Sequence, residues 1–231
     1  GLVAYATDRD GSERYVIEVL EPAAGRALAD RVANTSGTPV WADDRTLFYC
    51  ELNEQLRPFR VRRHVLGTDP ANDPIVFEEA DPGFFVAVAK TLTDDFVLIA
   101  TGDHVTSEIH LIPAAEPTVE PRVIAPRRAG HEYSVAQRGE RLLITTNDRH
   151  RNFRLVEAPV AAPEEANWRE LLAGSEAVYV LGAVGFRDFV VVATRERGLV
   201  QIRLHYDDGR IVAVPWPEAA YAAGLANNLD Y

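Results

Sequence analysis

Short runs of apolar residues recur along the chain at a nearly constant spacing. Each run is rich in Val, Ile, Leu, Phe and Tyr and is followed by a polar turn, which is typical of a buried β-strand. The runs are GLVAYAT from Gly1, TLFYCEL from Thr46, DFVLIAT from Asp95, RLLITTN from Arg141 and DFVVVAT from Asp188. Their starts are 45, 49, 46 and 47 residues apart. The sequence therefore predicts a structural repeat of about 47 residues.

Three further strands are predicted in the repeat. A second strand follows the first after hairpin-type turns such as DRDGSE, NEQLRP and RERG, and it often alternates apolar and polar residues. A weaker third strand comes next, with the sequences GRAL, PIVFEE, PRVIAP, WRELLAG and GRIVAV. A fourth strand precedes each repeat after the first, with the sequences TPVWAD, FFVAVAK, EYSVAQR and VYVLGAV.

Four antiparallel strands in about 40–50 residues is the pattern of one β-propeller blade. We therefore predict an all-β fold, a β-propeller of four-stranded antiparallel blades. A β-sandwich or two small β domains would also contain many short strands, but neither requires constant spacing over five copies. The predicted blade-like units are residues 1–33, 34–80, 81–127, 128–174 and 175–217, and residues 218–231 are predicted to begin a following segment.

The charge balance limits the partners of the protein. The chain has 35 acidic and 24 basic residues, and its net charge is −11 at pH 7. Nucleic acids and anionic membrane surfaces attract clustered Lys and Arg, so we expect neither as a partner. No apolar run reaches the roughly 18 residues that a membrane helix needs. The single cysteine, Cys50, cannot form an internal disulfide, which favours a reducing, cytoplasmic compartment.

The sequence contains no methionine, so we expect it to be a piece of a longer protein. The repeat register predicts a cut within the first blade at Gly1 and another just past the fifth blade at Tyr231. Such cuts would leave open sheet edges, through which two shortened copies could pair as a homodimer.

Several segments resemble the propeller of the oligopeptidase B branch of the prolyl oligopeptidase family of serine peptidases. These segments are residues 40–68 (VWADDRTLFYCELNEQLRPFRVRRHVLGT), 73–91 (DPIVFEEADPGFFVAVAKT) and 106–114 (TSEIHLIPA), together with AYATDRDGSERYVIEV near the start. Trp41, the Arg57–Pro58 pair and the acidic run from Glu78 are the most specific matches. After Arg127 the resemblance rests mainly on blade periodicity.

The resemblance implies a function as well as a fold. Members of this family carry a seven-bladed propeller over an α/β-hydrolase domain with a Ser–Asp–His triad, and this branch cleaves short peptides after Arg or Lys. The propeller acts as a lid and a size filter. This chain would supply about five of the seven blades, and its partners would be the C-terminal hydrolase domain of the same parent chain and oligopeptide substrates.

The sequence itself contains no candidate catalytic residue. A nucleophile elbow requires Gly-x-Ser-x-Gly, and none of the five serines lies in that setting. Cys50 lies in the middle of a predicted strand, where a small thiol packs well. His104 and His110 share a hairpin, but no third ligand lies at metal-binding spacing, so all histidines are interpreted as surface or strand-packing residues. We expect no metal or cofactor, and the fragment alone should be inert.

Two charged clusters are the candidate site residues. Glu78, Glu79 and Asp81 follow a strand and form either a solvated loop or a surface that faces the hydrolase domain or a basic substrate. Arg60 and Arg62 are predicted on one face of an outer strand and Arg63 on the other. These arginines form either local ion pairs or an interdomain surface.

Two other classes of function remain open from the residues alone. A free-standing propeller could serve as a binding scaffold, in which case the parent chain would end soon after Tyr231. A five-bladed glycosidase would need paired acids on the innermost strands, for which the sequence offers only Asp43 and Glu132.

Overall fold

The computed structural model describes residues 1–225 and residue 231. In this part of the chain there are nineteen β-strands and three single-turn 3-10 helices. The predicted all-β fold is therefore confirmed. Residues 226–230, which belong to the segment predicted to follow the fifth unit, lie outside the described residues.

The chain divides into two compact units. The first unit contains Gly1–His104 and Ile109–Val123, and the second contains Val105–Glu108 and Ile124–Tyr231. Among the described residues, none of the helices has the length and apolar character that crossing a lipid bilayer demands.

The strands of the first half of the chain are β1 (Val3–Thr7), β2 (Tyr15–Glu21), β3 (Arg26–Thr35), β4 (Val40–Trp41), β5 (Thr46–Leu52), β6 (Pro58–Val65), β7 (Ile75–Glu78), β8 (Phe85–Lys90), β9 (Phe96–Gly102), β10 (Ser107–Pro113) and β11 (Arg122–Val123). Those of the second half are β12 (Tyr133–Arg138), β13 (Arg141–Thr146), β14 (Arg154–Pro159), β15 (Arg169–Leu172), β16 (Val178–Gly185), β17 (Phe189–Glu196), β18 (Leu199–Tyr206) and β19 (Ile211–Ala213). The 3-10 helices are Pro22–Ala24, Pro70–Asn72 and Glu165–Asn167.

The strands form four antiparallel sheets. The first sheet has the order β1-β2-β3-β5-β6-β7, with β4 beside β5, and a single residue pair, Thr35 with Glu51, joins β3 to β5. The second sheet has the order β11-β10-β9-β8, the third β12-β13-β14-β15 and the fourth β16-β17-β18-β19. The last three sheets thus contain the four strands predicted for one blade.

The weak third strands differ most from the prediction. The segment PRVIAP forms only the two-residue strand β11, because a proline has no N–H to donate to a sheet. The segment GRAL is instead the beginning of the ten-residue β3. The predicted unit boundary at residue 33 therefore falls inside a strand, whereas those at residues 80, 127 and 174 fall in connections between sheets.

The central strands of the sheets carry the core, since neighbouring residues cover both of their faces. On β5, six of the seven residues are buried. Phe48 and Cys50 pack there against Val61, Val97 and Ile99 in one apolar cluster of the first unit. The predicted packing role of Cys50 is confirmed by its 2% exposure.

Candidate functional site

Arg60 and Arg62 lie on β6 and reach the same carboxylate, as the alternation of the strand predicts. Arg60 Nη1 lies 3.3 Å from Glu51 Oε2, and Arg62 Nε lies 2.6 Å from the same oxygen. Arg60 Nε also donates to Glu78 Oε2 on β7 at 2.7 Å. Burial tends to lower the pKa of Arg60, but the bonds to Glu78 and Glu51 outweigh it and raise that pKa. These charges neutralise one another across β5, β6 and β7.

Arg63 makes its contacts elsewhere. Its Nη1 donates to the carbonyl oxygen of Pro117 at 2.7 Å, and its backbone N–H donates to the carbonyl of Pro74 at 3.2 Å. Its Nε is buried and has no hydrogen-bond partner among the described residues. Arg63 therefore ties β6 to the segment that follows β10.

The three carboxylates Glu78, Glu79 and Asp81 point to different partners. Glu79 is buried, and its two oxygens accept hydrogen bonds from the backbone N–H of Asp81 at 2.9 Å and from the Thr101 hydroxyl at 2.7 Å. Asp81 in turn accepts from the backbone N–H of Gly83 at 2.8 Å. Glu78 is the carboxylate that pairs with β6. The described bonds shape the connection from β7 to β8.

A mixed apolar and charged surface lies at one end of the first unit. Because neighbouring strands are antiparallel, the β5–β6 turn and the β7–β8 connection lie at the same end of the sheet. Arg57 joins them, since its Nη1 donates to the carbonyl of Pro82 at 2.9 Å and its guanidinium lies 4.5 Å from the ring centre of Phe85. Phe85 is 44% exposed and Leu56 is 38% exposed. We call Leu56, Arg57, Asp81 and Phe85 the strand-end surface.

A buried histidine network lies toward the other end of the same strands, and the sequence interpretation missed it. His64 is fully buried on β6. Its Nδ1 lies 3.0 Å from Asp73 Oδ1, and its Nε2 lies 3.1 Å from Asp30 Oδ1. The Tyr49 hydroxyl donates to Asp73 Oδ2 at 3.0 Å, and the backbone N–H of Gly67 donates to Asp30. The network fastens β3 to β6 and to the segment before β7.

Both ring nitrogens of His64 face a carboxylate oxygen, and both must carry a proton in order to donate. This arrangement favours the charged, doubly protonated form of the imidazole. Burial alone would lower the pKa of His64, but the hydrogen bonds and charges of Asp73 and Asp30 outweigh it and raise that pKa. Burial tends to raise the pKa of Asp30, and the bonds from Gly67 and His64 reverse that effect and lower it.

One sequence signal could have found this network. His64 follows Arg60 and Arg62 at alternating positions of β6, so one face of this half-buried strand is polar from Arg60 to His64. A polar face on such a strand requires partners from neighbouring elements. The hydrogen-bond partners of His64 could not be identified from the sequence, because Asp30 is 34 residues away from it along the chain.

The network predicts a pH dependence of stability. Because the pKa of His64 is raised by folding, its contribution is present below the unfolded pKa of about 6.5 and is lost as the pH rises through the folded-state pKa. We expect the free energy of unfolding to fall toward alkaline pH more steeply in the wild type than in His64→Gln, whose amide does not titrate. Urea unfolding followed by tryptophan fluorescence at several pH values measures this. Parallel profiles for the two proteins would contradict the prediction.

The described residues offer no metal centre and no activated cysteine. No group of three or more His, Cys, Asp or Glu in this part of the chain could hold a metal ion. Burial raises the pKa of the Cys50 thiol to about 12, so it stays protonated at neutral pH and is a poor nucleophile. Asp43 caps its own turn by accepting from the backbone N–H groups of Arg45 and Thr46.

Comparisons with known proteins agree with the resemblance found in the sequence. A family model described as "Prolyl oligopeptidase, N-terminal beta-propeller domain" matches residues 1–230. Dipeptidyl aminopeptidase BI of Pseudoxanthomonas mexicana is 38% identical, over 98% of this chain and 32% of that protein. Protease 2 of Moraxella lacunata is 32% identical, over 99% of this chain and 33% of that protein.

Solved structures agree as well. The structure of oligopeptidase B from Leishmania major superposes with a TM-score of 0.86 at 29% identity, over 94% of this chain and 32% of that one. Oligopeptidase B from Trypanosoma brucei, with covalently bound antipain, gives a TM-score of 0.82 at 26% identity, over 95% of this chain and 32% of that one. This chain thus spans about a third of the length of the relatives that it matches.

The resemblance predicted from the sequence is confirmed, and the family match extends it beyond Arg127, where mainly blade periodicity supported it. The predicted β-propeller architecture is confirmed by the same match and by the four-stranded sheets. This chain belongs to the prolyl oligopeptidase family, as its N-terminal β-propeller domain.

Proposed function

We propose that this chain is the propeller lid of a serine peptidase whose α/β-hydrolase domain follows it in the parent chain. In this proposal the hydrolase domain carries the Ser–Asp–His triad, and the propeller admits short peptides and excludes folded proteins. The match of the family model over residues 1–230 carries the proposal. The length of the relatives, about three times that of this chain, leaves room for the second domain.

We place the enzyme in the cytoplasm. Its proposed specificity is cleavage after Arg or Lys. Its support is the likeness to Protease 2 and to oligopeptidase B. The net charge of −11 also favours cationic peptides, because an acidic surface raises their local concentration.

A second candidate is the removal of dipeptides from the amino end of peptides. The observation that favours it is the 38% identity to Dipeptidyl aminopeptidase BI. The two candidates differ in one chemical requirement, since an aminopeptidase must recognise a free α-amino group and an endopeptidase does not.

Two fluorogenic substrates separate these candidates. We expect the full-length parent protein to hydrolyse both benzyloxycarbonyl-Arg-Arg-aminomethylcoumarin, which has a blocked amino end, and the free dipeptide Gly-Arg-aminomethylcoumarin. An otherwise identical substrate with Glu in place of the last Arg should react at least about 100-fold more slowly, because a charge mismatch in a buried pocket costs several kcal/mol. The measurement is kcat/KM for each substrate.

Other results would change the proposed function. Hydrolysis of the free dipeptide alone would favour the dipeptide-releasing enzyme. Equal rates with Arg and Glu would contradict the basic specificity. A parent gene without Gly-x-Ser-x-Gly after residue 231 would overturn the peptidase proposal itself and favour a binding scaffold.

We also propose that the strand-end surface contacts the hydrolase domain. Exposed aromatic and arginine side chains are typical of interface cores, and Phe85 and Arg57 provide one of each. Of the acids predicted to face that domain, Asp81 belongs to this surface and Glu78 is half exposed. Arg60, Arg62 and Arg63 hold local partners and serve in this proposal to keep the sheet in place.

A further inference from the structure

A cavity of about 230 Å³ lies in the second unit, between the third and fourth sheets. Its floor consists of Leu143 and Leu155 from the third sheet and Val190 and Val192 from the fourth, four buried residues of one apolar cluster. Leu171, which is 42% exposed, extends the apolar wall toward the solvent. The cavity is therefore apolar at its base and open at one side.

One side of the cavity is closed by a saturated ion pair. Arg138 binds Asp207 with two parallel hydrogen bonds of 2.7 and 2.8 Å. Its Nε and Nη2 also donate to the backbone carbonyls of Phe186 and Arg187, at 2.8 and 3.1 Å. Bidentate pairing of this kind fixes the geometry of both side chains, so Arg138 forms a wall and has little donor capacity for a ligand.

A second part of the rim is different, because two arginines share one carboxylate oxygen. Arg141 Nη1 and Arg169 Nε both lie 2.8 Å from Glu157 Oε1. The Glu157 side chain is 8% exposed, whereas those of Arg141 and Arg169 are 57% and 70% exposed. Each guanidinium carries five N–H donors, of which Glu157 accepts one from Arg141 and two, Nε and Nη2, from Arg169.

The charge of the cavity is opposite to that of the chain. Three arginines and two carboxylates line it. His205 also lines it, and burial, together with the charge of Arg203, lowers the pKa of that histidine, so it adds no charge at neutral pH. The lining therefore has a net positive charge in a chain whose net charge is −11.

We propose that this cavity binds the C-terminal residue of a peptide that ends in an apolar side chain of about the size of leucine. The terminal carboxylate binds the paired guanidinium groups of Arg141 and Arg169, and the side chain rests on the apolar floor. The volume fits such a small group, since pockets for drug-sized ligands are about 300–1,000 Å³. Charge-assisted bonds to arginine are among the strongest polar contacts available to a carboxylate.

Several kinds of molecule combine a carboxylate with an apolar group. We choose a peptide because this inference rests on the proposed peptidase function, which would bring peptides to the propeller. Binding itself does not depend on that function, because the experiment contains no cleavage step. The probe is N-acetyl-Gly-Leu, which has no basic residue. Its matched control is N-acetyl-Gly-Leu-amide, in which a neutral amide replaces the negatively charged carboxylate. Octanoate, a fatty acid that combines a carboxylate with an apolar chain, tests whether the cavity binds acyl chains instead of peptides.

Isothermal titration calorimetry on the full-length parent protein measures the three dissociation constants. We expect the acid to bind at least tenfold more tightly than the amide, and at least as tightly as octanoate. The double variant Arg141→Gln/Arg169→Gln should weaken binding of the acid at least tenfold, and Leu171→Ser should weaken it about threefold. Arg151→Gln, at another exposed and ion-paired arginine, should leave it unchanged.

The remaining outcomes would overturn the proposal. Equal binding of acid and amide, or no binding of either at about 10 mM, would show that the cavity does not select a carboxylate. Binding that survives the double variant would place the peptide elsewhere, for example in the hydrolase domain. Tighter binding of octanoate would assign the cavity to acyl chains. Circular dichroism of each variant confirms that it is folded.

Discussion

Replacing Arg154 with methionine should lower the free energy of unfolding by about 3–5 kcal/mol, because it leaves a buried carboxylate without its partner. The Arg154 side chain is 3% exposed and that of Asp148 is 8% exposed. Methionine matches the length of the arginine stem, so the loss of charge, not of volume, dominates the effect. Guanidinium chloride unfolding of both proteins measures the difference.

The geometry of the pair explains the size of this effect. Arg154 Nε and Nη2 donate to the two oxygens of Asp148 at 2.8 and 2.7 Å, and Nη1 donates to Glu170 at 3.1 Å. The bonds from Asp148 raise the pKa of Arg154. Burial tends to raise the pKa of Asp148, but the Arg154 bonds outweigh it and lower that pKa. Both groups therefore stay charged in a site that admits little water.

Two further variants test this explanation. Arg151→Met removes an arginine that is 76% exposed and pairs with Glu176, and it should cost less than about 1 kcal/mol. The double variant Arg154→Met/Asp148→Asn removes both charges and should recover part of the lost stability, since a buried neutral amide costs less than a buried charge. A double variant that is no more stable than Arg154→Met would contradict the charge explanation.

The strands were predictable because burial imposes a local pattern. Apolar runs such as DFVLIAT and RLLITTN coincide within one residue with β9 and β13, since a central strand must be apolar on both faces to lie between covered layers. The outer strands were less predictable, because their pairing depends on prolines and on register shifts. Such a shift occurs between Leu155 and Val156, where β14 meets β15.

The polar contacts were predictable only where the partners lie on neighbouring strands. The shared face of Arg60 and Arg62 follows from alternation alone, which is a local rule. The partners of His64 and Arg154 come from connections and turns whose positions depend on the whole sheet. Charge alone gave no reason to single out Arg154 from the other arginines, because only burial makes its ion pair costly to break.

Gly185, the last residue of β16, lies in close contact with the strand β12 of the neighbouring sheet in the same unit. A Cβ atom at this position would lie 2.6 Å from Arg138 Cβ, 2.7 Å from the Gln137 carbonyl oxygen and 3.2 Å from Arg138 Cα. Two of these three atoms belong to the backbone and cannot rotate away. The close approach also lets Arg138 reach the carbonyls of Phe186 and Arg187.

Substituting alanine at Gly185 should therefore destabilise the second unit by about 2–3 kcal/mol, since overpacking a close-packed interior forces a backbone shift. Gly224→Ala is the matched control, because nothing lies within 4 Å of its added Cβ, and it should change stability by less than about 0.5 kcal/mol. Differential scanning calorimetry measures both changes. If Gly185→Ala unfolds at the wild-type temperature, the third and fourth sheets can separate at no cost, and their close contact does not stabilise the unit.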